Sequence, residues 1–169
     1  ISNNDFLGRE KHWKEELHLQ ETVANYLAYL QTKYKTTKVV ATNQGGVARG
    51  YFDCTRVEEI HQTIADLLRK KGITIDNWQY CPDVDSAYAE SKKKELAFVS
   101  NFVKEKTKRK PNADMVLDAL QELKKELPDF ETILVLGDRE EDEGLAKNLK
   151  AKFIDVKGKS YEEMVKEFS

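Results

Sequence analysis

The sequence predicts an α/β fold: a three-layer sandwich with a mainly parallel sheet between two layers of helices. Three observations carry it. Short β-branched runs alternate with amphipathic helical stretches along almost the whole chain. Two of the apolar runs, Val39-Val40-Ala41 and Ile133-Leu134-Val135-Leu136, end directly in glycine-containing turns with polar or acidic residues. No apolar run approaches the length of a membrane span.

The elements follow in order. Leu19, Val23, Tyr26, Leu27 and Leu30 recur at three- and four-residue steps, which predicts a helix over residues 20–34. Residues 38–41 form a strand that delivers Thr42. Thr55 is expected to cap a second helix whose buried face carries Val57, Ile60, Ile64, Leu67 and Leu68, with Gly72 just past its end. Residues 73–80 contain a strand. Asp83-Val84-Asp85-Ser86 has a paired-acid pattern, but Pro82 breaks the preceding strand, so Asp85 or Ser86 reads as a helix cap. Pro111 is expected to open a helix through Met115, Leu120 and Leu127. A strand over 132–136, a helix over 140–149, a strand over 152–156 and a helix over 161–168 complete the pattern.

Composition narrows the function classes. The chain has 169 residues, enough for one domain with a full-sized core, and we read 1–169 as a single domain. Lys+Arg 28 against Asp+Glu 30 gives a net charge of −2, which favours neither nucleic acid nor a membrane surface as partner. Cys54 and Cys81 sit in unlike contexts and need no oxidising compartment, so the cytoplasm is the expected location. His12, His18 and His61 have no partners at ligand or catalytic spacing, which makes them packing or surface residues.

The chemistry concentrates at three places. In Val39-Val40-Ala41-Thr42-Asn43-Gln44-Gly45-Gly46-Val47-Ala48-Arg49-Gly50 a strand runs into a glycine turn, which presents backbone N–H groups to an anion. Thr42 and Asn43 add donors there. Lys108-Arg109-Lys110-Pro111 places basic residues ahead of a helix, and Leu136-Gly137-Asp138-Arg139-Glu140-Glu141-Asp142 ends a strand in two acids four apart. In this order the three segments resemble motifs two, three and four of the haloacid dehalogenase-like phosphohydrolases. The wording T-N-Q-x-G-x-A-R-G, with Tyr80-Cys81-Pro82 and Arg109-Lys110-Pro111, is most similar to the heptose-bisphosphate and histidinol-phosphate phosphatase branch, over residues 17–156.

That resemblance implies a Rossmann-like sheet and a small phosphate monoester as partner, hydrolysed through an aspartyl-phosphate with Mg²⁺. It implies Lys110 as the catalytic cation, Thr42, Asn43, Gln44, Arg49 and Arg109 as phosphate- or substrate-binding residues, and Asp138 and Asp142 as metal residues. Asp142 has a second reading, as a cap of the following helix. The family's D-x-D-x-T strand, which carries the nucleophile, is absent from 1–169. The first strand of the sheet is therefore expected upstream of Ile1, and the rival reading is a non-catalytic binding or assembly module.

Residues 82–108 depart most from the family. They are expected to form a helical insertion, with Leu96, Phe98, Val99, Phe102 and Val103 apolar, in place of a zinc loop. Cys81 alone matches that loop's ligands, so no zinc is expected. Lys104, Lys106 and Lys108 read as a solvated face.

Overall fold

The structure is a computed structural model that describes residues 6–168. A 3-10 turn (Leu7–Arg9) and α1 (Trp13–Glu16) lead into α2 (Glu21–Lys33), β1 (Val39–Asn43), α3 (Cys54–Lys70) and β2 (Asn77–Cys81). Next come β3 (Val84–Asp85), α4 (Ser86–Lys92), a 3-10 turn (Ser100–Phe102) and β4 (Val103–Lys104). The chain then runs through α5 (Asp114–Glu122), a 3-10 turn (Leu127–Asp129), β5 (Leu134–Gly137), α6 (Glu140–Leu149), β6 (Lys152–Asp155) and α7 (Tyr161–Glu167).

Among the described residues every strand pair is parallel. β1 pairs with β2 (Val39 opposite Asn77, Asn43 opposite Cys81), and β5 pairs with β6 (Leu134 opposite Lys152, Gly137 opposite Asp155). No hydrogen-bonded pairing joins β1 to β5, so the main sheet stands as two halves. The connections β1–α3–β2 and β5–α6–β6 are parallel crossovers, right-handed by the usual rule, and helices cover the halves.

Helix α2 spans both. Its Ala24, Leu27 and Ala28 pack with Trp13, Ile64, Leu68 and Ile73, while its Tyr26 and Leu30 pack with Ile154, Met164 and Leu134. Tyr26 is fully buried; its hydroxyl donates to the Phe168 carbonyl (3.1 Å), and burial pushes its pKa up to about 12. At roughly 25 cal/mol per Å², burying these large side chains is the main stabilising term of the fold.

Three expected elements differ in detail. Asp53, not Thr55, caps α3: it stands two positions earlier, immediately before the first helical residue, where its carboxylate accepts from the Arg56 N–H (2.9 Å). Helix α5 is shorter than the apolar spacing suggested and ends at Glu122, where Lys124 takes a left-handed conformation (φ 55°). Pro111 lies ahead of that helix, joined to Lys110 by a cis peptide.

The 82–108 segment is less helical than expected. Only α4 is an α-helix there, with Asp85 as its cap (2.7 Å from the Tyr88 N–H). Leu96 to Val99 lie outside any helix, and Val103 belongs to β4, which pairs with β3. The apolar residues still form a small core: Val84, Ala89, Phe98, Phe102 and Val103 pack on Ala48 of the glycine turn. Of the apolar residues singled out from sequence, Phe98, Phe102 and Val103 join this core while Val99 is exposed, and the β3–β4 pairing, which depends on tertiary contact, was not legible.

Candidate active site

The carboxyl ends of β1 and β5 meet through one hydrogen-bonded chain. Asn43, the last residue of β1, grips the backbone of Lys110: its Oδ1 accepts from the Lys110 N–H (2.9 Å), and its Nδ2 donates to the Lys110 carbonyl (3.2 Å). Lys110 in turn extends its ammonium to Asp142 Oδ1 (2.6 Å). The other oxygen of Asp142 accepts from the N–H groups of Asp138 (3.2 Å) and Arg139 (3.3 Å), at the tip of β5. The Lys110 and Asp142 side chains are only 15% and 9% exposed, so their pairing acts in a partly desolvated setting where Coulomb attraction is strong.

Glycines make the close approaches. A Cβ at Gly137 would overlap the Asp142 side chain, so only glycine lets that carboxylate fold back over the strand end. In the turn after β1, the N–H groups of Gly45, Gly46 and Ala48 donate to no backbone carbonyl among the described residues. All three residues are buried, and Ala48 packs in the small apolar core described above.

Thr42 is set for donation. Gln44 Nε2 donates to Thr42 Oγ1 (3.2 Å), which uses a lone pair of the hydroxyl and leaves its proton for an incoming oxygen. Gln44 thus orients Thr42, and Asn43 has both amide functions on the Lys110 backbone. Both residues, read from sequence as phosphate donors, make these hydrogen bonds within the protein.

The acids divide in the same way. Asp138 is exposed at the tip of β5, and its carboxylate has no hydrogen-bonding or ionic partner among the described residues. Asp142 is buried, with one oxygen on backbone N–H groups and the other on Lys110. The geometry matches the capping reading of Asp142. Asp138 is the carboxylate open to a cation, and Mg²⁺ accepts a site of one or two carboxylates completed by water and phosphate oxygens. The residues present fit that ion.

A cleft of about 510 Å³ adjoins Lys110 and is lined by Arg109, Lys106, Asn112, Asp85 and Asp114 among others. Lys106, read from sequence as solvated, is exposed but stands on this wall. Lys108 pairs instead with Asp118 of α5. Cys81 is buried at the end of β2, and burial pushes its thiol pKa up. Sequence reasoning missed Tyr88 of α4, whose hydroxyl accepts from Arg49 (2.8 Å). Its place one turn after the Asp85 cap carried no signal of that role.

No family model matches the chain. Among curated proteins it is 33% identical over 101 residues to a D-glycero-β-D-manno-heptose-1,7-bisphosphate 7-phosphatase of Mesorhizobium japonicum, covering 60% of this chain and 41% of that one. It is 28% identical over 116 residues to a probable enzyme of the same name from Thermoplasma volcanium, covering 68% and 66%. The chain spans about half the length of the curated relatives it matches. Among solved structures it resembles a putative HAD-like phosphatase of Mesorhizobium loti (TM-score 0.69, 24% identity, 89% of this chain and 64% of that one). It also resembles a D,D-heptose 1,7-bisphosphate phosphatase of B. bronchiseptica complexed with magnesium and phosphate (TM-score 0.59, 23% identity, 91% and 74%). These structural likenesses bear on the fold. With the ordered motifs beside them, these findings show a chain similar in sequence to heptose-bisphosphate phosphatases and in fold to haloacid dehalogenase-like phosphatases.

Proposed function

We propose that this chain forms the body of a Mg²⁺-dependent phosphatase that hydrolyses a small phosphate monoester through an aspartyl-phosphate. One observation carries the reading: Asn43, Lys110, Asp142 and the Asp138 backbone form a continuous network joining two strand ends beside the Thr42 hydroxyl. A crevice at the carboxyl ends of parallel strands, where the connections turn outward in opposite directions, is where α/β sheets bind ligands.

In this reading the Thr42 hydroxyl donates to a phosphate oxygen. The Lys110 ammonium, held by Asn43 and Asp142, offsets the repulsion between an attacking carboxylate and the phosphate. A bound Mg²⁺ at Asp138 would neutralise phosphate charge as bonds to the phosphorus change. The attacking carboxylate would be the first aspartate of the D-x-D-x-T motif that the resemblance calls for. Its attack breaks the ester P–O bond and the substrate alcohol leaves with a proton; water then cleaves the aspartyl-phosphate, which releases inorganic phosphate and regenerates the carboxylate. Sugar phosphates are the substrate class we favour, because the relatives carry that activity in their names and the cleft beside Lys110 offers Asp85 and Asp114 as acceptors for hydroxyl groups. The two free cysteines support the cytoplasm as its location.

The test is hydrolysis of an aryl phosphate by a protein that carries both this chain and the nucleophile strand. Asp138→Asn is expected to abolish Mg²⁺-dependent turnover with the fold intact, and Lys110→Ala to be nearly as severe. Turnover that survives Asp138→Asn at saturating Mg²⁺ overturns the metal role. Absence of any hydrolysis across a broad panel of esters favours a binding module instead.

A further inference from the structure

Helix α6 touches the Lys110–Pro111 segment at three places. Asp142 takes the Lys110 ammonium (2.6 Å). Gly144 lies against the proline ring: a Cβ built on it would stand 2.7 Å from Pro111 Cβ and 3.5 Å from its Cγ. Asn148, one turn further along, donates from Nδ2 to the Pro111 carbonyl (2.8 Å). Residues four apart share a helix face, so Gly144 and Asn148 form one seat for Pro111. From the other side, Asn43 of β1 holds the Lys110 backbone. The segment is thus clamped between the two halves of the sheet, where no hydrogen-bonded pairing joins β1 to β5.

Glycine inside a helix is less stable than alanine would be. Gly144 sits in the middle of α6 without a positive φ, so the backbone itself does not call for glycine there. The proline does. Its ring is closed onto the backbone and cannot rotate aside, so a methyl group at position 144 has to push the Lys110–Pro111 backbone away by roughly 1 Å to regain van der Waals distance. That backbone carries the Lys110 side chain to Asp142, and a misplacement of about 1 Å can cost a reacting group on the order of a hundredfold in rate. We infer that Gly144 and Asn148 are positioning residues, which act through Pro111 to set where the Lys110 ammonium stands. The inference rests on the proposed phosphatase reading for what Lys110 does in turnover, and the seat itself does not.

Competitive acetylation of the folded chain, read lysine by lysine by mass spectrometry, tests the seat without requiring turnover. Lys147 is the reference, because it stands on the same helix with its side chain 71% exposed against 15% for Lys110. In the wild type Lys110 is expected to react well behind Lys147. Gly144→Ala should speed Lys110 by about fivefold or more, the scale set by loss of one charged hydrogen bond, with Lys147 unchanged. Asn148→Ala removes the donor without adding an atom, and should act in the same direction but less. If all lysines accelerate together in Gly144→Ala, that variant has unfolded and Asn148→Ala decides. An unchanged Lys110 rate in the folded variants overturns the seat. In the chain joined to a D-x-D-x-T strand, Gly144→Ala is expected to lower kcat on an aryl phosphate by about tenfold or more with a smaller change in KM, and Lys147→Ala to alter neither. Turnover that is the same in wild type and Gly144→Ala overturns the positioning role while the phosphatase reading stands. Absence of turnover in the wild type removes that reading, and the acetylation result then judges the seat alone.

Discussion

Asn43 is the residue whose role changed most between sequence and structure. The T-N-Q wording suggests a phosphate donor, and its place at a strand end agrees. Yet its amide holds the Lys110 backbone from both sides, at 2.9 and 3.2 Å. Removing it leaves a half-buried N–H and carbonyl without their partners, so Asn43→Ala is expected to cost about 1–3 kcal/mol of folding stability. Urea unfolding measures this, and a loss below about 0.5 kcal/mol would mean that the bracket carries no weight. The positions of Thr42 and Asp138 at strand ends, and of Lys110 ahead of a helix, were legible because strand ends and glycine turns confine where they go. The partition among donor, bracket and cap was not legible, since it depends on which side chains meet across 67 residues of intervening chain. The Arg49–Tyr88 contact was hidden for the same reason.

At the scale of elements, periodicity located α2, α3, α6 and α7 and the strands β1, β5 and β6 well, because each buries one face or lies between helices. It failed where a local competitor decides the boundary, as with Asp53 at the start of α3 and Lys124 after α5. Helix α3 also contains a testable titration. His61 packs against Trp78 (5.0 Å between ring centroids) and Tyr80 (5.7 Å), and burial lowers its pKa from 6.5 to about 4. The folded state therefore favours the neutral ring, while the unfolded chain takes up a proton near pH 6.5. The stability held by the neutral ring is full above that pH and falls progressively down to about pH 4, by an amount on the order of 3 kcal/mol. Urea midpoints for wild type and His61→Leu across this range check it: the wild-type slope should flatten in the variant. Parallel slopes would show that His61 does not titrate between the two states.

For the whole molecule, the division of the sheet organises everything else. Gln44 N–H donates to the Cys81 carbonyl, so by the alternation of strands the N–H groups of Val40 and Thr42 also face β2, and those of Val39, Ala41 and Asn43 face the other side. Among the described residues no strand pairs with β1 on that side, and β5 pairs only with β6. Helix α2 beneath both halves and the Asn43–Lys110–Asp142 chain at one end hold them in relation to each other. The parallel order was readable from alternating strands and helices, whereas the separation of β1–β2 from β5–β6 was not. The central claim is that Thr42, Lys110 and Asp138 serve one phosphoryl group. A crystal structure of this chain joined to a D-x-D-x-T strand, grown with Mg²⁺ and a phosphoryl analogue such as tetrafluoroaluminate, tests it most directly. The account predicts the analogue within hydrogen-bond distance of Thr42 Oγ1 and Lys110 Nζ, with the cation on an Asp138 oxygen. An analogue seated away from Thr42 and Lys110, or a cation held without Asp138, would contradict it.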